Sequence, residues 1–173
     1  ATVTVVAADI EATPDVADPV NGGSGGTGIV NVLPNDTLND DPVDLSTIDI
    51  TVATPATPIN GGPVPVLDPA TGLVDVPAGT PAGDYVIEYT ICEELNPTNC
   101  ATTTVTVPVT AGPIEAVDDS VADINGADGA ADVLNVLTGD TINGDPATTD
   151  NVTISVAPGS EVPAGLTFDP ATG

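Results

Sequence analysis

Carboxylates dominate the side chains of this sequence that could do chemistry. The 173 residues include 26 acids, 20 of them Asp, and no Lys, Arg or His. No salt bridge between side chains can form, and self-repulsion opposes the compact state unless an external cation offsets it. Asp is the shorter carboxylate, which suits both tight turns and the loops that hold hard cations. The composition therefore points to a cation partner.

The acids are densest near residues 9–15 and in the loop 35–44, and a similar set follows further along the chain. Carboxylates that crowd together cannot all stay ionised without a counter-charge. Calcium accepts about 6–8 oxygen ligands in loose geometry, whereas magnesium needs a tighter octahedron and softer metals need His or Cys. Solvated turns are the simpler alternative for the same residues. The predicted calcium ligands are Asp9, Glu11, Asp15, Asp36, Asp40, Asp41, Asp44, Glu115, Asp118, Asp119, Asp140 and Asp145.

Two cysteines, Cys92 and Cys100, bracket the segment 93–99. This segment lies between two predicted strands, and a hairpin end can bring two Cα atoms within disulfide reach. A zinc site lacks further ligands, and a redox pair normally has the Cys-x-x-Cys spacing. The sequence predicts a structural disulfide and hence an extracellular or periplasmic setting.

Several function classes are disfavoured by what the sequence lacks. Binding to nucleic acid or to an anionic membrane surface needs Lys or Arg, and no apolar run is long enough to cross a bilayer. Catalysis would lack His, Lys and Arg, and a glycosidase would lack aromatic platforms for its sugar, since aromatic residues make up 2%. We expect a protein that is not an enzyme.

Strands must position the acidic loops, because Val and Thr are abundant and the 18 Gly and 18 Pro interrupt any long helix. Alternation and turn residues predict about seven strands in about 100 residues, the size of an immunoglobulin-like β-sandwich. Tyr85 is the expected tyrosine corner and Tyr89 a core residue. The predicted strands are 13–18, 29–33, 47–53, 64–67, 73–76, 85–92 and 101–109, with 68–72 as a hairpin turn.

The sequence repeats itself at an offset of 104 residues. Ile10-Glu11-Ala12 returns as Ile114-Glu115-Ala116, and Asn31-Val32-Leu33 returns as Asn135-Val136-Leu137. The turn after Leu67 returns after Phe168 with three residues deleted. We therefore predict tandem domains: residues 1–9 as the last strand of a preceding repeat, 10–109 as a complete repeat, 110–113 as a linker, and 114–173 as the first part of another.

These motifs resemble bacterial immunoglobulin-like and cadherin-like tandem repeats. The resemblance rests on Ala116-Val117-Asp118-Asp119-Ser120, on Asn135-Val136-Leu137-x-x-Asp140-Thr141, and on a closing Thr-Val-Thr-Val strand. Residues 79–85 with the cysteine hairpin look like the version in surface proteins of Bacteroidetes-type bacteria. The resemblance implies a structural repeat of a giant surface adhesin or extracellular filament on the bacterial cell surface, with domain junctions stiffened by calcium and neighbouring copies or repeats as its partners.

Two alternatives stay open at this stage. The first is an adhesin module that uses calcium to bind a carbohydrate or a surface. The second is assembly by strand donation between subunits. A glycan is kept as a third option. Asn35-Asp36-Thr37 and Asn151-Val152-Thr153 fit the N-glycosylation pattern, although a turn and a strand explain these stretches equally well.

Overall fold

The computed structural model describes all 173 residues, which fold into strands, turns and irregular segments without any helix. They form two compact units, unit 1 (Ala1–Gly112) and unit 2 (Pro113–Gly173). The predicted linker spans that division, and the predicted domain boundaries stay a prediction. No segment forms a helix long and apolar enough to pass through a membrane.

Unit 1 contains eleven strands in three sheets. A five-stranded sheet has the order β2-β11-β10-β7, with β3 also paired to β11, and a three-stranded sheet has the order β4-β9-β8. A small third sheet has the order β1-β5-β6. The strands are β1 (Ile10–Glu11), β2 (Asp15–Val16), β3 (Val20–Asn21), β4 (Gly26–Asn31), β5 (Thr37–Leu38), β6 (Asp41–Pro42), β7 (Ile48–Thr54), β8 (Val66–Asp68), β9 (Leu73–Val76), β10 (Gly83–Glu93) and β11 (Asn96–Thr110).

The two larger sheets pack face to face around one core, which confirms the predicted all-β sandwich. Alternate residues of β10, among them Ile87 and Ile91, point inward with Val105 and Val107 of β11. The facing sheet contributes Val74 and its neighbours to the same cluster. This alternation follows from the two-residue period of a strand, which sends every second side chain to the buried face.

Both cysteines and the tyrosine corner lie where the sequence predicts them. Cys92 and Cys100 are paired across β10 and β11 and joined by a disulfide. Tyr85 is 1% exposed, and its hydroxyl donates a hydrogen bond of 2.8 Å to the Pro81 carbonyl. This bond ties the start of β10 to the turn that precedes it, as in a tyrosine corner.

The segment 35–44, predicted as a loop, instead contains the hairpin of β5 and β6. Asn39 and Asp40 form its two-residue turn with positive φ at both positions, 54° and 65°. This is the backbone of a type I′ turn, which favours Asn, Asp and Gly because its central residues must adopt left-handed φ values. Strands of two residues are too short for an alternation pattern to reveal.

Residues 1–9 contain no strand, and their assignment as the last strand of a preceding repeat stays a prediction. Unit 2 contains β12 (Ile114–Glu115), β13 (Thr141–Ile142) and β14 (Asp145–Pro146), which form one three-stranded sheet. The turn between β13 and β14 is Asn143-Gly144, again with positive φ at both residues. This small sheet has the same strand order as β1-β5-β6 of unit 1.

Candidate functional site

The predicted acidic loops of unit 1 meet at one end, the N-terminal pole, formed by residues 8–15, 35–44 and 93–99. Asn39 donates its backbone N–H to the Asp9 carbonyl at 2.7 Å, and its side-chain oxygen accepts from the Asp9 N–H at 3.0 Å. The Asn99 amide nitrogen donates to the Ala8 carbonyl at 2.8 Å. The chain segment at Ala8 and Asp9 is therefore held on two sides.

The centre of this pole is a buried cluster of two carboxylates and one phenol. The Tyr89 hydroxyl lies 2.8 Å from Asp15 Oδ2, 3.1 Å from the Val32 carbonyl and 3.4 Å from Asp36 Oδ2. Asp36 Oδ1 accepts the Thr13 backbone N–H at 2.7 Å. The cluster thus joins β2, β10 and the turn before β5, although these segments lie far apart in the sequence.

The Tyr89 hydroxyl has one proton for three nearby acceptors, so it cannot donate to both carboxylates at once. The shortest of the three contacts runs to Asp15, so Asp36 Oδ2 has no donor of its own when ionised. Asp36 is fully buried, and this burial raises its pKa to about 6, with the nearby Asp15 charge adding to the rise. Burial likewise raises the pKa values of Asp15 and Tyr89, although hydrogen bonds to Tyr89 and Asn35 lower that of Asp15.

Asp15 and Asp36 therefore act as hydrogen-bond acceptors of the fold rather than as open ligand positions. The other predicted ligands of unit 1 are exposed. Asp44 accepts the Ser46 backbone N–H at 2.8 Å, and the Ser46 hydrogen bonds lower its pKa. The exposed positions are Asp9, Glu11, Asp40, Asp41 and Asp44.

The carboxylates of this chain do not assemble into a preformed metal site. No three Asp, Glu or Cys side chains anywhere in the chain stand in a group that could hold a metal ion. Every buried side-chain oxygen and nitrogen already has a hydrogen-bond partner, so no buried oxygen is an unpartnered ligand for a cation. The donor set of the folded chain consequently does not fit a ready-made calcium site.

The predicted ligands of unit 2 occupy positions equivalent to those of unit 1, but the counterparts of the two buried acids are more exposed to solvent. Asp140 Oδ1 accepts the Val117 backbone N–H at 2.7 Å, as Asp36 does from Thr13. Asp140 and Asp119 are only half-buried, whereas their unit 1 counterparts Asp36 and Asp15 are buried. The remaining predicted ligands, Glu115, Asp118 and Asp145, are exposed.

Two important residues of the pole were not predicted as site residues from the sequence. Tyr89 was expected to be a core residue, and it is 0% exposed, but its hydroxyl also serves both buried acids. Glu93 is buried and accepts from the Asn99 and Asn96 side chains at 2.9 and 2.7 Å, which lowers its pKa. The inward register of β10, which contains both residues, was the available signal for Glu93.

Unit 2 also carries an open groove of about 400 Å³. Its lining combines apolar residues with Asp140 and with one Asn, one Thr and one Ser. The lining residues are Ile114, Val136, Leu137, Asp140, Ala147, Asn151, Val152, Thr153, Ile154 and Ser155.

Comparison with known proteins gives likenesses in structure only. No family model and no curated protein matches the sequence. The human desmocollin-1 ectodomain is similar over 65% of this chain and 22% of its own, at 16% identity and a TM-score of 0.44. The third cadherin domain of human protocadherin 7 is similar over 64% of this chain and 92% of its own, at 13% identity and a TM-score of 0.43.

Cadherin domains 1–4 of protocadherin gamma B7 are similar over 71% of this chain and 29% of their own, at 12% identity and a TM-score of 0.41. The chain thus spans about a fifth of the desmocollin structure and most of the single protocadherin 7 domain. Scores of this size carry no functional inference, so the fold class rests on the strand order and shared core of unit 1.

Proposed function

We propose that this chain is a structural segment of an extracellular bacterial filament or long adhesin stalk, built from tandem sandwich repeats. The observation that supports this function most is the recurrence of the same backbone hydrogen bonds in both units. We call the recurring part the loop frame: residues 9–13, 31–47 and 68–72 in unit 1, and 113–117, 135–151 and 169–173 in unit 2.

The backbone hydrogen bonds of the unit 1 loop frame recur in unit 2, whereas several side-chain bonds differ between the units. Val32 N–H donates to the Gly72 carbonyl at 2.9 Å, and Val136 N–H donates to the Gly173 carbonyl at 2.9 Å. The Asn39 bond to Asp9 has its equivalent in the 2.7 Å bond from Asn143 N–H to the Pro113 carbonyl. A module that recurs with its turns and backbone bonds intact suits a spacer, whose neighbours are copies of itself.

The strand pairing of unit 1 suits a domain that is pulled from its two ends. β2 and β3 near the start of the unit run parallel to β11 at its end. Ala17 N–H donates to the Thr106 carbonyl and Gly22 N–H to the Thr110 carbonyl, both at 2.9 Å. Tension applied at the ends loads these parallel bonds together instead of one at a time, so several bonds must break at once.

The disulfide supports the extracellular part of the proposal, because such bonds persist in oxidising environments. Cys92 and Cys100 close a loop with a sequence separation of 8 residues at the N-terminal pole. Closing a loop of this length stabilises the folded state by about 2.5 kcal/mol in the chain-entropy model. It also keeps Glu93 and Asn99 in place against Ala8.

The calcium part of the proposal is confined to exposed carboxylates. Asp15 and Asp36 already accept hydrogen bonds from the protein, so ligands would come from Asp9, Glu11, Asp40 and Asp41. Calorimetry on the chelator-treated chain tests this step. Heat on calcium addition, and a melting temperature that rises with it, are expected. No heat and no change in melting would exclude calcium while leaving the mechanical role untouched.

The carbohydrate-binding alternative gains no support from the positions of the two tyrosines. Tyr85 and Tyr89 are 1% and 0% exposed, so neither ring can stack on a sugar.

Single-molecule pulling tests the mechanical role directly. The full chain is stretched between two marker domains, and unit 1 is expected to unfold in one discrete event that releases about 300 Å of chain. Reduction of the disulfide should add about 27 Å to this event, because the 8-residue interval is then released. Gradual extension without a discrete event would contradict a mechanical role.

A further inference from the structure

The open face of unit 2 lacks the cover that its counterpart in unit 1 has. Ala147 is the one buried apolar residue of unit 2, and Ile114, Val117 and Leu166 are 67, 56 and 64% exposed. A unit of this size with so little buried apolar surface cannot be stable by itself. Its groove of about 400 Å³ follows the side of the loop frame that faces the core in unit 1.

Unit 1 shows what covers the equivalent residues. The groove residues Val136, Leu137, Ala147, Val152 and Ile154 correspond in sequence to core residues of unit 1. Those core residues are Val32, Leu33, Val43, Ile48 and Ile50, and they share one cluster with the inward side chains Tyr85, Ile87, Tyr89 and Ile91 of β10. The groove is therefore the face against which a strand of the β10 type packs.

The polar end of the groove indicates what that strand must carry. Asp140 lines the groove, and its Oδ1 accepts the Val117 N–H. Its Oδ2 is open to a further donor. Asp36, its counterpart in unit 1, meets the Tyr89 hydroxyl, as does Asp15, the counterpart of Asp119. The chain contains no basic side chain, so a neutral hydroxyl is the donor that its own strands can offer.

We propose that the groove of unit 2 is a docking site for a strand of the β10 type, and that Asp119 and Asp140 form a socket for that strand's tyrosine hydroxyl. The occupant is a segment with the chemistry of residues 73–110: alternating Val, Ile and Tyr on the inward face and a phenol that reaches both acids. This assignment rests on the matched loop frames and holds whatever the mechanical role of the chain.

A second copy of the chain offers one competing occupant. Val3, Val5 and Val6 are 83, 88 and 81% exposed, and residues 2–5 repeat the Thr-Val-Thr-Val sequence of β11. This segment carries no tyrosine, and its sequence corresponds to β11, which contributes no hydroxyl to the two buried acids of unit 1. The β10-type segment is therefore the occupant that satisfies both the apolar groove and the two acids.

The test extends the full chain by a copy of residues 73–110 placed directly after Gly173, the position that corresponds to Gly72. The extended chain is expected to show a second cooperative unfolding transition. Hydrogen exchange at the Val136 and Val117 amides should slow at least about 100-fold relative to the unextended chain. Unchanged exchange at both amides would overturn the docking site.

Matched substitutions test the socket separately. Changing the tyrosine of the appended copy that corresponds to Tyr89 to Phe should remove most of the added protection. Asp119→Ala should do the same in the extended chain and leave the unextended chain unchanged. Asp118→Ala is the control, since its counterpart in unit 1 is Pro14, which contributes no carboxylate. Equal protection with Tyr and Phe would overturn the socket.

The oligomeric state of the unextended chain tests the competing occupant, a second copy. The unextended chain is expected to stay monomeric in sedimentation experiments at micromolar concentration. Concentration-dependent oligomers that disappear in a Val3→Asp/Val5→Asp variant would show that a second copy fills the groove, and this result would overturn the proposal.

Discussion

Unit 1 and unit 2 share one loop frame but differ in every strand that pairs outside it. In unit 1, β1, β5 and β6 pair only with each other, and their counterparts β12, β13 and β14 form the same sheet. In contrast, β2, β4 and β7 pair with β9, β10 or β11, and their counterparts in unit 2 form no strand. The strands β12, β13 and β14 are the only ones in unit 2, so none corresponds to β9, β10 or β11, which is the difference between the two regions.

This comparison separates local from non-local structure. The loop frame forms wherever its own residues are present, because turns such as Asn143-Gly144 and side-chain bonds such as that of Asp140 act within about 30 residues. The sandwich forms only where partners from the second half of the repeat arrive. Local hydrogen bonds therefore specify the frame, whereas burial of apolar surface stabilises it.

The largest expected effect is a difference in hydrogen-exchange rate between equivalent amides of unit 1 and unit 2. Val32 and Val136 donate equivalent bonds of 2.9 Å, as Thr13 and Val117 donate equivalent bonds of 2.7 Å. The unit 1 amides should exchange at least about 1000-fold more slowly, because opening them requires the sandwich core to open. Hydrogen exchange read by NMR checks this. Similar rates in both units would mean that the local bonds alone confer stability.

Removing the Tyr89 hydroxyl should make the N-terminal pole of unit 1 resemble that of unit 2. Tyr89→Phe leaves the buried Asp15 and Asp36 without their shared donor and should lower the free energy of unfolding by about 3 kcal/mol. Urea unfolding followed by circular dichroism measures the loss. Tyr85→Phe is the matched control, because it removes one bond to a carbonyl and should cost about 1 kcal/mol. Equal losses would rule out a special role for the acid pair.

Asp36 of unit 1 should make a distinct contribution to the pH dependence of unfolding. The pKa of Asp36 rises from 3.8 to about 6 on folding, so the folded chain binds more protons between these values. The free energy of unfolding should therefore increase as the pH falls from about 7 to about 4, and this gain is lost as the pH rises through 6.

Asp36→Asn isolates this contribution. The neutral amide keeps an acceptor for the Thr13 N–H, so we expect it to raise the free energy of unfolding by about 2 kcal/mol at pH 7.5 and to flatten the pH profile. Urea midpoints measured at pH 4.5 and 7.5 for both proteins test this. A variant that keeps the full pH dependence would assign it to other acids. Asp140→Asn should have little effect, because Asp140 is only half-buried.

The smallest expected effect concerns the type I′ turns. Unit 1 has Asp40 at φ 65° where unit 2 has Gly144 at φ 83°. Asp40→Gly should therefore relieve the left-handed backbone and stabilise unit 1 by about 0.5 kcal/mol, net of the greater freedom of Gly in the unfolded chain. Thermal unfolding measures the gain. Loss of stability would indicate that the Asp40 carboxylate contributes to the pole.

Local patterns explain why much of the fold was predictable from the sequence. The alternation of β7 and β10 and the turn at 68–72 predict strands that the structure contains within a few residues. The hairpin of β5 and β6 was missed because two-residue strands leave no periodic signal. The repeat predicted which residues of unit 2 occupy positions equivalent to those of unit 1, since equivalent sequences adopt equivalent turns.

The role of Tyr89 was less predictable for a physical reason. Its hydroxyl bonds to Asp15 and Asp36 across 74 and 53 residues of sequence, and no local pattern encodes such contacts. A carboxylate in a turn looks the same in sequence whether it faces solvent, a cation or a buried phenol. The whole predicted set of calcium ligands, from Asp9 to Asp145, stays a prediction for that reason.

The distance along the chain between Tyr89 and the acids that it serves also sets an order of events during synthesis. Asp36 is made 53 residues before its hydroxyl donor, which at about 5–20 residues per second is an interval of several seconds. During that time Asp15 and Asp36 stay hydrated, because their buried hydroxyl donor does not yet exist. The two sheets of the sandwich cannot pack together in this interval. A repeat of this kind can therefore form its loop frame while it is being made, but its sandwich closes only once its last strands have emerged.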